Sequence, residues 1–332
     1  MMIDRPPPVT LREVARAAGV STASASRALG RPGAVSAGLR QRILAAADRL
    51  GYAPNLAARS LAARRSGLVG VMVDSLAEPL IADAVAALER RLAAAGYGLL
   101  IVATRETYEH RLSALRELLS RGPEALVLTE PAHAQELAAE LRARGLPWIA
   151  IAEDLAGGAP AVDAGRRRGA ELAGRYLLDL GHRHIGVIAA TAGTAVGVAD
   201  ALAGGNLAPL ATAALPTRDA DTAQAAMRLL LNKDEPPTAV ICGSDLFALA
   251  AMRACLGQGI AVPGTVSIVG FGDAEFARRA VPALTTLRLS AAGIGVQLAE
   301  GLLACLEGRG PPLAFAAPVK LVIRESTGPA PG

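Results

Sequence analysis

Residues 9–29 read VTLREVARAAGVSTASASRAL, and the rest of the chain is organised around them. Leu11, Val14, Ala15 and Ala18 recur at helical spacing, Gly19 interrupts them, and Val20 is placed to plug the joint. Ser21 is a capping residue for a second helix, whose buried face falls on Ala25 and Leu29. Small residues around the turn let two helices cross closely, as a helix-turn-helix requires. The opening of the second helix carries Thr22, Ala23, Ser24, Ser26 and Arg27. Hydroxyls suit phosphates, and a guanidinium suits a guanine edge. An ordinary two-helix corner of a globular core fits the same stretch, since helix pairs joined by glycine are common.

The charge around this stretch favours the first reading. Residues 1–66 hold eleven arginines and no lysine against three acids, a net +8. The remainder carries a net −4, so the +4 of the whole chain hides a basic head on a mildly acidic body. Such asymmetry points to a polyanionic partner for the head alone. A merely solubilising face would have acids interspersed.

Beyond Leu29-Gly30, Ser36 is placed to cap a third helix, with Leu39, Ile43, Ala47 and Leu50 on one face. Gly51 ends it, and Tyr52-Ala53-Pro54 is extended, because a residue before proline avoids helix. Asn55 can cap a short segment over 56–63, too short to be stable without something packed on it. Residues 64–66 read as a linker.

From Leu68 the pattern alternates between strand and helix. Strands are expected at 68–73, 97–103, 125–129 and 148–152, with helices at 82–95, 108–121 and 132–144. A second series follows the Gly/Pro-rich 157–160: strands at 184–189, 239–242, 267–271 and 319–323, helices at 168–180, 221–231, 246–256 and 293–306. Residues 190–220 are Ala/Gly-rich and hard to read, with a possible strand at 211–215. Short apolar strands between helices make parallel sheets covered on both faces. Two such series imply two similar lobes, with ligands at the carboxyl ends of strands in the cleft between them.

Other classes find little support. No apolar run is long enough to span a membrane, and the start MMIDRPPPVT has no signal-like apolar core. Cys242, Cys255 and Cys305 match neither zinc nor disulfide spacing, which fits a cytoplasmic setting. His182-Arg183-His184 lacks a third ligand for a metal and suits a helix-to-strand turn. No phosphate-binding glycine loop and no nucleophile elbow is present, so neither a cofactor nor an enzyme is expected.

The basic helix-turn-helix head, the Pro-Asn hinge and the two-lobed body resemble the lactose-repressor (LacI) family of bacterial transcription regulators. The likeness rests on residues 9–29 and 35–36, LGYAPNLAARSLAARRS (50–66), LGHRHIGVI (180–188), SDLFALAAMRA (244–254), VPGTVSIVGFGD (262–273), PALTTLR (282–288) and IREST (323–327). It implies an all-α helix-turn-helix head and an α/β, two-lobed, periplasmic-binding-protein-like body of parallel sheets covered by helices. The implied boundaries are a head over 1–54, a hinge over 55–66 and a body over 67–328. Lobe 1 would take about 67–162 and 289–317, and lobe 2 about 163–288 and 318–328.

The same resemblance implies that Thr22, Ala23 and Arg27 read base edges, with Ser21, Ser24 and Ser26 at phosphates. Thr10, Val35, Ser36 and Arg59 would also lie on the DNA. Asn55 would cap a hinge helix whose Leu61 wedges into the minor groove, an unstacking cost of a few kcal/mol repaid by a bent site. Gly30 stands where the family usually has Asn. The implied function is a repressor acting as a homodimer on double-stranded operator DNA, with a small-molecule effector. No heptad tail follows Ser326, which argues against a tetramer.

The effector cleft departs from the family pattern. Its candidates are Glu78, Leu80, Arg166, Thr194, Ser244, Asp245 and Asp273. Glu78-Pro79-Leu80-Ile81 brings no aromatic where the family has Asn-Pro and aromatics. Gly165-Arg166 replaces the Asp-Asn pair, and Thr194 stands at the ligand-gripping Arg. Either the effector differs, for instance an anion held by Arg166–Arg168, or ligand control is lost. The three arginines also read as a solvated helix start. A soluble ligand-binding protein with a vestigial head is the rival reading, and the intact head chemistry speaks against it.

Overall fold

The computed structural model describes residues 9–30, 33–53, 65–73, 75–104, 108–129, 134–152, 161–189, 191–205, 207–209, 211–215, 219–310 and 315–332. The chain divides into two units, 1–66 and 67–332. The hinge expectations for Asn55, Arg59 and Leu61 fall outside the described residues.

In the first unit, α1 (Leu11–Ala17), α2 (Thr22–Gly30) and α3 (Ala37–Leu50) surround a small core of Val14, Ala15, Ala18, Ala25, Ala28, Ile43, Ala46 and Ala47. Thr10 opens α1 with a reciprocal cap. Its hydroxyl oxygen accepts from the Glu13 N–H, and its own N–H donates to the Glu13 carboxylate at 2.7 Å. Gly19 takes the left-handed φ of 65° that a tight turn between helices requires. Ser21 caps α2 as expected, its Oγ accepting from the Ser24 N–H at 3.1 Å. The buried face of α2 is Ala25 and Ala28, and Leu29 is only half-buried. The three-residue step wins because alanine at both places lets α2 sit close to its neighbours. On α3, Ile43, Ala46 and Ala47 are buried, while Leu39 and Leu50 close the ends half-buried. Ser36 is the N-cap residue, but its side chain makes no capping bond.

In the second unit, one sheet holds β1 (Leu68–Val73), β2 (Gly98–Ala103), β3 (Ala125–Leu128), β4 (Trp148–Ile151), β5 (Ala161–Asp163) and β11 (Phe315–Ala316) in the order 11-5-4-3-1-2. The other holds β6 (Ile185–Ala189), β7 (Ala211–Ala214), β8 (Ala239–Cys242), β9 (Ser267–Phe271), β10 (Thr285–Leu289) and β12 (Val319–Val322) in the order 12-10-9-8-6-7. The strand orders are the same when counted from each lobe's first strand. All described pairings are parallel except β10 with β12, which runs antiparallel at the edge of the second sheet. The edge strand β12 follows closely on β11, the edge strand of the other sheet, so the chain passes there from one lobe to the other.

Helices cover both faces. On the first sheet, α4 (Pro79–Ala94) and α12 (Ala291–Leu306) lie on one side, α5 (Tyr108–Ser120) and α6 (Ala134–Ala143) on the other. On the second, α7 (Arg166–Asp179) and α8 (Ala192–Ala203) oppose α9 (Ala220–Leu231) and α10 (Asp245–Gly257). A short α11 (Glu275–Arg279) precedes β10. Residues of β1 alternate as a two-sided strand must: Val69, Val71 and Val73 face α4 and α12, and Met72 faces α5.

The same close-packing device recurs in both lobes. A Cβ on Gly295 of α12 would lie 2.1 Å from the Ala84 carbonyl of α4. One on Gly197 of α8 would lie 2.1 Å from the Arg167 carbonyl of α7. Glycine lets these backbones touch. Helix α8 is therefore the content of the stretch that resisted reading, and the strand at 211–214 follows it.

Candidate functional site

The first candidate site is the outer face of α2. Thr22, Ala23, Ser26 and Arg27 are exposed, and Ser24 is half-buried. The side chains of Thr22, Ser26 and Arg27 hold no hydrogen bond or ion pair to another described residue. Ser21 and Ser24 share a hydroxyl contact of 3.0 Å at the start of the helix. No acid occupies the first turn of α2, so the positive end of its dipole faces outward uncompensated. Arg40 of α3 donates to the Ala28 carbonyl at 3.4 Å and steadies the far end. Ser36 is exposed beside this unit's turn, whereas Val35 is half-buried against the core. Thr10 is exposed, but its hydroxyl is committed to Glu13 at 2.8 Å. Those contacts with Thr10 hold the Glu13 carboxyl below the usual range.

The second candidate site is a cleft of about 500 Å³ between the two sheets of the body. Glu78, Leu80, Ser244, Asp245 and Asp273 line it. Arg166 and Thr194 do not. Arg166 lies behind the wall, 8% exposed, and Thr194 is fully buried beside Gly243, its hydroxyl lacking any partner. The arginine run divides: Arg167 and Arg168 are exposed, as at a solvated helix start, and Arg166 is not. Arg166 is neither solvated nor open to an anion, because its Nη2 donates to Glu78 Oε1 at 2.9 Å. Arg167 pairs with Asp200 at 2.7 Å and Arg168 with Asp163 at 3.2 Å.

Asp245 and Asp273 are likewise engaged. Asp245 is 2% exposed and accepts from the Ala274 N–H at 2.6 Å and the Thr286 hydroxyl at 2.5 Å. Burial raises its carboxyl pKa, against the lowering by those two bonds. Asp273 has φ 54°, uncommon outside glycine but tolerated by Asp. It accepts from Arg288 Nε and Arg324 Nη2, both at 2.5 Å. Burial alone would raise its pKa, and the two guanidinium groups outweigh that and lower it. Ser244 spends its oxygen capping α10 through the Phe247 N–H at 3.2 Å.

Residues that sequence reading missed complete the wall: Asp83, Phe271, Phe276, Arg278 and Arg288. The 78–81 stretch brings no aromatic, and the rings of the cleft come from Phe271 and Phe276 in the second lobe. The Phe271 ring is covered by the Arg166 guanidinium, 5.2 Å from its centroid, and Phe276 is half-buried. Gly272-Asp273 following β9 was the available signal: the end of β9 carries Phe271 to the cleft, and α11 carries Phe276.

At the helix-to-strand turn, His182 is buried, its rings tied to Thr238 Oγ1 and the Gly328 carbonyl, each at 3.0 Å. Among the described residues no group of three or more metal-ligating side chains is brought together. No helix among them is long and apolar enough to cross a membrane.

The model of the lacI family of bacterial regulatory proteins matches residues 10–55, and that of a periplasmic binding protein-like domain matches 175–327. The HTH-type transcriptional repressor PurR of Proteus mirabilis (strain HI4320) is 28% identical over 294 residues, 84% of each chain. PurR of Yersinia pestis (strain Pestoides F) is 28% identical over 290 residues, with the same coverage. The Lac repressor dimer bound to operator and the anti-inducer ONPF superposes with a TM-score of 0.83 and 28% identity, over 97% of this chain and all of that one. The transcriptional regulator CelR in complex with cellobiose gives 0.70 at 27% identity, again over 97% of this chain and all of that one. With a lacI-type head, a periplasmic-binding-protein-like body and this full-length likeness, the chain belongs to the lacI family of bacterial transcriptional regulators.

Proposed function

We propose that this protein is a cytoplasmic, sequence-specific transcriptional repressor that binds a two-fold-symmetric operator as a homodimer and catalyses no reaction. The observation that carries this reading is the α2 face, whose Thr22, Ser26 and Arg27 stand exposed and unspent on a head of net +8. The reading divides the chain into a head over 1–54, a hinge over 55–66 and a two-lobed body over 67–328. Thr22, Ala23 and Arg27 read base edges. Ala23 has no hydrogen-bonding group, so it touches a thymine methyl or leaves room for a base. Ser21, Ser24, Ser26 and Ser36 meet phosphates, and Asn55, Arg59 and Leu61 serve the hinge. Two heads enter major grooves about one helical turn or a small multiple apart.

The cleft is the place for an effector, and its lining argues against a neutral sugar of the kind seen with CelR. Sugar recognition needs free polar groups around the ring, and Asp245, Asp273 and Ser244 are already committed to protein partners.

Selection of a binding site from random DNA, followed by anisotropy titration at several salt concentrations, tests the repressor reading. The expected result is a preferred palindrome and an affinity that falls steeply with salt, because arginine–phosphate contacts release counterions. Equal affinity for selected and random DNA would overturn it.

A further inference from the structure

The cleft is bridged by the protein's own side chains. Glu78 stands just ahead of α4 in the first lobe, and Arg166 opens α7 in the second. Their charged ends meet at 2.9 Å with side chains only 15% and 10% exposed. The other guanidinium nitrogen, Nη1, donates to the Gly243 carbonyl at 3.0 Å, at the end of β8. The flat face of the same group lies over Phe271. One cation thus holds a carboxylate from one lobe and a carbonyl and a ring from the other. Two residues beyond Glu78, Leu80 is 6% exposed and packs in the core of the second lobe with Ala170, Phe271 and Leu289. An apolar peg and an ion pair therefore cross the cleft side by side.

We propose that Arg166 is a tethered ligand: with Glu78 and Leu80 it holds the two lobes together with no small molecule bound. A separate effector loses translational and rotational freedom on binding, whereas a side chain anchored at a helix start has already lost it. A nearly dry, charge-assisted pair is among the strong hydrogen bonds. Leu80 adds apolar burial that needs no charge. The regulator would then bind its operator without an added effector, and an effector that parts the lobes must break the Arg166–Glu78 pair. The inference rests on the body being the controlling module of a repressor.

The test uses the full chain, dialysed free of small molecules, with amide hydrogen exchange over 79–82 and 243–247 and operator binding as separate readouts. Wild type should show protection in both segments without ligand. Arg166→Ala should exchange roughly tenfold faster there and bind operator more weakly, and low-millimolar guanidinium should restore both. Glu78→Gln removes the charge from the other side of the pair and should likewise speed exchange if Arg166→Ala proves unable to fold. Unchanged exchange in either variant would overturn the latch. Failure of wild type to prefer any DNA would instead overturn the repressor reading, and the exchange result would still stand by itself.

Discussion

The outer face of α2 and the wall of the cleft are both rich in polar side chains, and they treat them in opposite ways. On α2, Thr22, Ser26 and Arg27 are exposed and their side chains hold no partner among the described residues. In the cleft, Glu78, Ser244, Asp245 and Asp273 each hold a protein partner at 3.2 Å or less. A surface that meets an outside polyanion keeps its donors unspent and lets water hold them until DNA arrives. A cleft whose groups are satisfied internally gains rigidity and gives up affinity for polar ligands, since a ligand must first break bonds it can only replace. The difference separates an output end built for contact from an input end built to be closed.

The strongest way to break this comparison is to remove a cleft acid. Asp273→Ala leaves Arg324, only 13% exposed, without its carboxylate. Stranding a buried charge costs about 3 kcal/mol, so the thermal transition of the body should fall by several degrees. A transition unmoved by the change would mean that the acid is not structural and is available to a ligand. Next in size, Arg27→Ala should cost about 1–3 kcal/mol in operator binding, the worth of one good base contact, and relax preference at one position per half-site. Competition with variant operators checks it, and a uniform loss across all sequences would make Arg27 a phosphate contact instead.

A smaller effect belongs to the cap beneath the reading face. Ser21→Ala removes the acceptor of the Ser24 N–H and should destabilise the head by about 1 kcal/mol. The body transition should not move, and differential scanning calorimetry separates the two. A shift confined to the body would show that the cap does not govern the head.

The head and most of the strands were legible because their signals are local. Gly19, Ser21 and the 3–4 spacing of Leu11 to Ala18 specify the turn and its helices, and LVGVMV or AVIC can only be buried strands. Helix α8 was not legible, because AGTAVGVADALA has almost no polar face to set a period. Its small residues serve a contact with α7 that is visible only in three dimensions, as at Gly197. The strand β10, TTLRL, was hidden by threonines that are buried because Asp245, Ser326 and Thr327 satisfy them. The cleft was legible as a set of residues, and its pairing was not. Glu78 and Arg166 are far apart in sequence, and nothing local to either says that the other neutralises it.

The smallest effect tests whether the commitment of polar groups extends beyond the cleft wall. His182 is buried at the turn before β6, with Thr238 at one ring nitrogen and the Gly328 carbonyl at the other. The carbonyl can only accept, so Nε2 carries the proton and Nδ1 accepts from the Thr238 hydroxyl. Burial lowers the ring's pKa below 6.5, against the raising effect of the Gly328 bond. The folded ring stays neutral where the unfolded one takes a proton, so the unfolded state binds more protons just below pH 6.5. Stability from this group is complete above 6.5 and is lost as pH falls through the lowered folded value. Asp273 acts in the same direction, but its window lies below the 3.8 of an ordinary Asp, so the two do not overlap. His182→Gln keeps a donor and an acceptor and cannot titrate. Melting temperatures measured from about pH 5 to 8 should therefore decline with acid more gently for the variant than for wild type. Parallel curves would show that folding leaves the ring's proton affinity unchanged.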